Sequence, residues 1–366
     1  MKKIKILYIT TWSDLGGVAI YILELIKGLD KSIEPYFIMN SEGYLSEELG
    51  KLGFKNNIFF VPMTNSILDL KTHINSNLRT LKIIKKIKPD IIHCNSMTGG
   101  IVGRICGFIT KTPVIFTAHG WTFSGGYSTP LIIFYKILEL FLAFLTKKII
   151  CVSEHDRQIA LKVMPFFKDK LIMIHNGISD ISTECYKKNF SKNELKIIMV
   201  TRFSWPKKPN DLIIAVKELN DEGLKIKLDL YGYGKKQTEV ENLIKECNCP
   251  NINLKGMAKN PEFILKNYDL YALISDKEGL PIGIIEALRA GLPILISNVG
   301  GCSELINNNG YLVEKGNLNN LKNKLRILYN KIDTLEQLGH NSRLLYESEF
   351  MANKMIEKTF DICRYL

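Results

Sequence analysis

Two glutamates eight residues apart, Glu278 and Glu286, lie within ISDKEGLPIGIIEALRAGLPILISNVGGCSELI, the stretch from Ile274 to Ile306. Carboxylates so placed either bind sugar and ribose hydroxyls or are two solvated surface groups. Their surroundings favour binding. Residues Asp269 to Ser275 form the apolar run of a buried strand, DKEGLP supplies a turn, and IGIIEALRAG has helical spacing before a second strand, LPILIS. This is one αβ unit of a parallel sheet. Ligands of such sheets sit outside the carboxyl ends of the strands, where helix N-termini present free N–H groups and a positive dipole to anions. Gly279 and Pro281, flanking Leu280, let the backbone come close to a ligand there.

Upstream, LKIIMVTRFSWPKKPNDLIIAVKEL runs from Leu195 to Leu219 as a strand, a polar loop and an amphipathic helix, with Arg202 and Lys207 in the loop. A diphosphate leaving group gathers negative charge as a glycosidic C–O bond breaks, and preorganised cations stabilise that charge most strongly in the transition state. Two such cations can take the place of a metal. The chain contains no Asp-x-Asp sequence, and Asp276-Lys277-Glu278 is a poor substitute because Lys277 opposes cation binding. No metal site and no cofactor beyond a nucleotide-sugar co-substrate is therefore expected.

At the N-terminus, the strand KIKILYITT is followed by Gly16-Gly17 and by a helix whose apolar face is Val18, Ile22, Leu25, Ile26 and Leu29. Glycine lets the backbone approach a phosphate where a side chain would collide. KLDLYGYGKKQ offers another strand with Gly232 and Gly234, but Gln237 occupies the third glycine position of a dinucleotide fingerprint, which argues against an NAD enzyme. Three histidines end strands or enter turns. His119 follows PVIFTA and precedes Gly120-Trp121; His93, in PDIIHCNS, is either acceptor-side or structural; His175, in MIHNGIS, reads as structural.

Together these segments resemble retaining glycosyltransferases of family 4. The match is the E-x7-E pattern with its EG-x-P, E-A-x-x-x-G-x-P and GG-x-x-E surroundings, present here as EGLP, EALRAGLP and GGCSE. The resemblance implies that Glu278 contacts the donor sugar and Glu286 the ribose. The family's Arg is followed five residues later by Lys and usually Gly. Lys208 stands here where Gly is usual, so Lys207 takes the lysine role. An equivalent Gly-Gly loop faces the donor diphosphate and the acceptor, which assigns Gly16 and Gly17, while Gly232 joins Gly279, Leu280 and Pro281 as donor-binding positions. TAHGWTFSGG resembles the histidine segment of polysaccharide-assembling members and implies a positioning, charge-stabilising role for His119 at the donor sugar.

The implied fold is α/β with GT-B architecture, two Rossmann-like domains facing across a cleft. Residues 1–180 form the acceptor-side domain, rejoined by a final helix at about 345–366, and residues 181–345 bind the nucleotide-sugar. The implied activity is a retaining, metal-independent hexosyl transfer from a nucleotide-sugar, most often a UDP-sugar, to a growing glycan or lipid-linked acceptor in bacterial-type surface polysaccharide synthesis. The alternatives are a sugar-nucleotide epimerase or hydrolase of GT-B shape and a non-catalytic sugar-nucleotide-binding scaffold. Presence of all of Arg202, Lys207, Glu278 and Glu286 counts against the scaffold, for which loss of any one would be harmless.

The elements that must position these residues alternate throughout. Strands are expected near 4–10, 35–40, 57–61, 90–94, 113–118, 148–152 and 171–174, then near 196–201, 226–231, 251–254, 269–274 and 293–296, with SDISTECYKKNFSKNE, Ser179 to Glu194, as linker. A length of 366 residues at 46% apolar content suits two ordinary cores. Eight cysteines without a C-x-x-C pair, and no secretory signal, point to a reduced cytoplasmic protein. LIIFYKILELFLAFL, Leu131 to Leu145, is short for a membrane span and reads as a buried or membrane-facing helix. Net charge is 22 − 14 = +8 over residues 1–180 and 27 − 23 = +4 over the rest. SNLRTLKIIKKIKPD is the sharpest source, either a solvated basic face or a surface for anionic headgroups at the inner face of the cell membrane. No nucleic-acid motif accompanies the charge.

Overall fold

The computed structural model describes residues 3–64, 66, 69–186, 189–258 and 260–366. Within the expected linker, Lys187 and Lys188 lie outside the described residues. The chain divides into two compact units, one ending at Gly177 and including Ala352–Leu366, the other Ile178–Met351.

Unit 1 alternates β1 (Ile4–Ile9), α1 (Gly17–Lys27), β2 (Ile33–Met39), α2 (Tyr44–Lys51), β3 (Ile58–Phe60), α3 (Leu70–Ile87), β4 (Ile91–Asn95), α4 (Met97–Thr110), β5 (Val114–Ala118), α5 (Thr129–Phe144), β6 (Lys148–Cys151), α6 (Glu154–Val163) and β7 (Leu171–Met173). The sheet order is β3-β2-β1-β4-β5-β6-β7, with every pairing parallel. β4 and β5 are buried at every residue, as strands covered by helices on both faces must be. Right-handed crossovers place α1 and α2 on one face and α3, α4, α5 and α6 on the other. The core beneath the second layer joins Ile9, Ile92, Val102, Phe116 and Ile149.

Unit 2 repeats the plan with β8 (Leu195–Val200), α7 (Pro209–Asp221), β9 (Ile226–Tyr231), α8 (Gln237–Cys247), β10 (Ile252–Leu254), α9 (Pro261–Leu265), β11 (Leu270–Leu273), α10 (Ile282–Arg289), β12 (Ile294–Ser297), β13 (Gly310–Val313), α11 (Leu318–Asn330) and α12 (Leu335–Leu345). Its order is β10-β9-β8-β11-β12-β13, again all parallel.

The end of the chain differs from the single helix expected at 345–366. α12 runs into a π turn over Tyr346–Phe350, the backbone turns extended at Met351 (φ −70°, ψ 139°), and α13 (Ala352–Arg364) follows as part of unit 1. Tyr346 donates its hydroxyl to Ile178 O at 3.0 Å, and Ile178 N–H donates to Phe350 O at 3.1 Å, which fixes the break. α5 is neither wholly buried nor a span. Tyr135, Glu139, Leu142 and Ala143 face inward and the opposite side is exposed, and among the described residues no helix is long and apolar enough to cross a membrane.

Candidate active site

In unit 2 the strand order reverses between β8 and β11, the position at which open α/β sheets bind ligands. These strands are parallel neighbours, Leu270 opposite Ile197 and Tyr271 opposite Ile198, so the loops leaving their carboxyl ends lie side by side. Backbone hydrogen bonds join the loops: Lys208 N–H donates to Ile274 O at 2.9 Å and Asp276 N–H to Pro206 O at 2.9 Å. Lys207 is thereby held opposite Ser275, and its ammonium forms an ion pair with Glu278. The pair is mostly withdrawn from water, with side chains 19% and 9% exposed. Lys208 pairs separately with Asp276, at 3.4 Å and more exposed, so the two adjacent lysines have different partners.

The backbone beneath Glu278 is supported by the GGCSE segment. Gly300 has φ +56°, and a Cβ there would fall 1.9 Å from Glu278 O; Gly301 N–H donates to Gly279 O at 2.8 Å. Leu280 is buried and anchors the turn. Pro281 starts α10 without a side-chain cap, and its carbonyl accepts from Ile284 N–H at 3.1 Å, leaving the first N–H groups of the helix open. Glu286 sits half-buried on α10. Below it Tyr271, buried in β11, donates its hydroxyl to Val200 O at 3.0 Å. Burial holds the Tyr271 phenol well above its ordinary range, and the carboxylates of Glu286 and Glu278 add to the shift.

Arg202 is exposed, and its guanidinium has no hydrogen bond or ion pair among the described residues, so the structure does not bring it into the Lys207–Glu278 contact. Its loop is anchored by Phe203, which is fully buried. Gly232 has a packing reason to be glycine. At φ +148° its Cβ would lie 1.7 Å from Thr201 O, and Phe203 N–H donates to Tyr233 O at 2.8 Å, so the β9 loop supports the Arg202 loop.

In unit 1 the strand order reverses between β1 and β4. Gly16 begins α1 in extended conformation with no side-chain cap, its carbonyl accepting from Ile20 N–H at 3.1 Å, and Gly17 is exposed. Ser96, at the end of β4, accepts from Thr11 N–H at 3.0 Å and so ties the two loops. His119 is half-buried at the end of β5, 2.9 Å from Asn95 Oδ1 and edge-on to Tyr21 at 4.8 Å. An amide oxygen only accepts, so Nε2 carries the proton and Nδ1 keeps its lone pair. Burial pulls the His119 imidazole down to about 4, leaving it neutral at pH 7. A neutral ring can position a ligand by hydrogen bonding and brings no net charge of its own. His93 is fully buried, 2.7 Å from Thr117 Oγ1, and held down to about 3 by burial and by His119; it is a core residue. His175 lies half-buried after β7.

Residues 181–345 match the model for glycosyl transferases group 1 and residues 15–180 the model for glycosyltransferase family 4. The chain belongs to glycosyltransferase family 4. It is 29% identical to the O-antigen biosynthesis glycosyltransferase WbnH of Escherichia coli over 84% of this chain and 85% of that one. It is also 29% identical to the UDP-Gal:alpha-D-GlcNAc-diphosphoundecaprenol alpha-1,3-galactosyltransferase of Escherichia coli, covering 98% and 96%. Among solved structures, Anabaena HepE in complex with UDP-glucose superposes with a TM-score of 0.83 at 17% identity, covering 99% of this chain and all of that one. That likeness identifies the fold of this glycosyltransferase as GT-B, two Rossmann-like domains.

Sequence reasoning missed several residues that shape the glycosyltransferase's loops. Tyr271 was hidden as one aromatic in an apolar strand, and Asn95 as a polar strand end beside His93. Asn95, the polar residue closing β4, was the available signal, because the end of a strand is the ligand-facing edge of such a sheet.

Proposed function

We propose that this glycosyltransferase moves a hexose from a UDP-sugar to a growing glycan or lipid-linked saccharide of a bacterial-type surface polysaccharide, retaining the donor's anomeric configuration and using no divalent cation. The observation that carries the reading is the Lys207–Glu278 ion pair at the β8/β11 switch point. As the C1–O bond of the donor breaks, its electron pair goes to the diphosphate oxygen, and Lys207 and Arg202 hold the charge that develops there. The diphosphate takes the place of Glu278 on the ammonium, which frees the carboxylate to accept hydrogen bonds from sugar hydroxyls. Glu286 accepts from the ribose, and the open N-terminus of α10, with Gly279 and Pro281, faces the phosphates. Gly232 holds the Arg202 loop in place. In unit 1, Gly16 and Gly17 open the start of α1, and His119 positions a ligand through its free Nδ1.

Retention is what the family resemblance implies; two glutamates placed to bind hydroxyls are not a glycosidase pair, whose carboxylates must flank the reacting bond. Metal independence fits the charge already present, because Lys207, Arg202 and α10 supply what a cation would. The names of the two relatives, which include O-antigen biosynthesis and a diphosphoundecaprenol acceptor, support the product and acceptor class. We extend the proposal to a peripheral position at the inner face of the cell membrane, where a lipid-held acceptor would be met.

A donor screen scored by nucleotide release in excess EDTA, followed by NMR of the product, tests all three parts. An α-linked donor should give an α-linked product without added metal. A β linkage refutes retention, and activity abolished by chelation and restored by Mg²⁺ or Mn²⁺ refutes the leaving-group account.

A further inference from the structure

The helices α3, α4 and α5 pack side by side on one face of the unit 1 sheet. Their outward side is apolar to an extent that water does not explain. On α5, Ile133, Phe134, Ile137, Phe141 and Phe144 are all exposed, Phe144 at 68%. The spacing of 133, 137, 141 and 144 puts them on one face of the helix. Phe144 meets Phe167 edge-on at 4.6 Å, and the neighbouring Phe166 is 90% exposed. α4 adds exposed Phe108 and Ile109, and α3 adds Leu70, Ile74 and Leu78. Contiguous exposed apolar surface of this kind marks an interaction site.

The charge identifies what covers it. α3 carries exposed Lys71, Arg79, Lys82, Lys85 and Lys86 and no acidic residue, and α4 has no acidic residue either. α5 has one, Glu139, and it faces inward, where Arg104 holds it by two hydrogen bonds of 2.7 and 3.1 Å. The exposed side of α5 keeps Lys136 alone among charged residues. Apolar side chains rimmed by cations, with the only carboxylate of the three helices neutralised inside, fit a surface that is apolar within and anionic at its edge. We propose that the outward faces of α3, α4 and α5 seat unit 1 on an anionic phospholipid bilayer, the aromatic stripe of α5 entering the acyl boundary and the lysines of α3 meeting headgroup phosphates. This deepens the membrane-side reading given above and rests on it.

Vesicle co-sedimentation of the full chain tests the proposal, using phosphatidylcholine vesicles with and without phosphatidylglycerol. The chain should pellet with the mixed vesicles, less so at high salt. Ile137→Ser with Phe141→Ser should lower partitioning more than about tenfold. Lys82→Gln with Lys86→Gln should lower it about fivefold for each lysine removed. All four positions are exposed, so unfolding should not intervene, and a thermal melt checks that. Failure of the parent chain to bind, or binding by both double variants as strong as the parent's, overturns the proposal. So does a concentration-dependent dimer that the same substitutions abolish, which would assign the face to a second copy. Nucleotide release from a soluble donor should be unchanged in these variants; a chain that binds vesicles yet releases no nucleotide from any donor sinks the catalytic reading and leaves the surface standing.

Discussion

Replacing Lys207 with alanine removes the cation that the switch-point geometry holds against Glu278. Loss of one preorganised charge-stabilising group raises a reaction barrier by about 2.7–4 kcal/mol, or roughly 10²–10³-fold. Two features of the structure place this substitution at the lower end. The ammonium keeps some contact with solvent, its side chain being 19% exposed, so water can partly take its place. Arg202, exposed in the same loop, remains as a second cation. The expected loss is about 10²-fold in kcat/KM. Folding should lose part of its stability, because Glu278, 9% exposed, is left without this partner, but the hydrogen bonds from Lys208 and Asp276 that join the two loops use backbone atoms and survive the substitution. Lys207→Arg should recover part of the loss by restoring charge without the compact ammonium. The assay is nucleotide release at limiting donor, with thermal unfolding followed in parallel. Turnover of Lys207→Ala within about threefold of the parent would refute the reasoning, as would a loss that merely tracks unfolding.

Gly300→Ala should be costly because the left-handed backbone and the 1.9 Å overlap with Glu278 O act together, about 2–4 kcal/mol from strain and overpacking. Gly316→Ala, at φ +69° in open space, should cost only the first part, about 1–2 kcal/mol, and denaturant unfolding of both variants separates the two contributions. Glu286→Ala should weaken binding of free nucleotide, whereas Glu278→Ala should spare it and weaken the sugar-bearing donor. Calorimetry with both ligands decides this, and equal losses would contradict the division of roles. Burial lowers the His119 pKa from 6.5 to about 4, so the unfolded chain binds a proton that the folded one refuses. Stability should therefore be intact above pH 6.5 and fall as pH drops toward 4, by up to about 1.4 kcal/mol per pH unit for each such histidine. His119→Gln should flatten that slope in denaturant titrations, and an unchanged slope would count against the neutral imidazole.

Most of the fold was legible because parallel strands buried on both faces are continuous apolar runs punctuated by glycine and proline. β13 was not, since Gly310–Val313 is four residues of a sheet edge with little burial to mark it. The break at Met351 carries no glycine or proline; it depends on Tyr346 and Phe350 bonding to Ile178, a pairing set by tertiary structure. The site was legible only in part. Lys207 and Glu278 are 71 residues apart, and local periodicity gives no reason for them to meet; adjacency of β8 and β11 does. Gly232 looked like a phosphate-facing glycine, yet contact with Thr201 O already requires it. For His119 the sequence showed a strand end, while its protonation depends on burial and its tautomer on Asn95, both of which only the fold supplies.

Hydrogen exchange of the full chain with and without a UDP-sugar tests most directly where the donor sits. Amides of residues 201–208 and 279–285, the two loops at the β8/β11 switch point, should exchange more slowly when donor is bound. Protection confined to other segments, with these two unchanged at saturating donor, would contradict the assignment of the site.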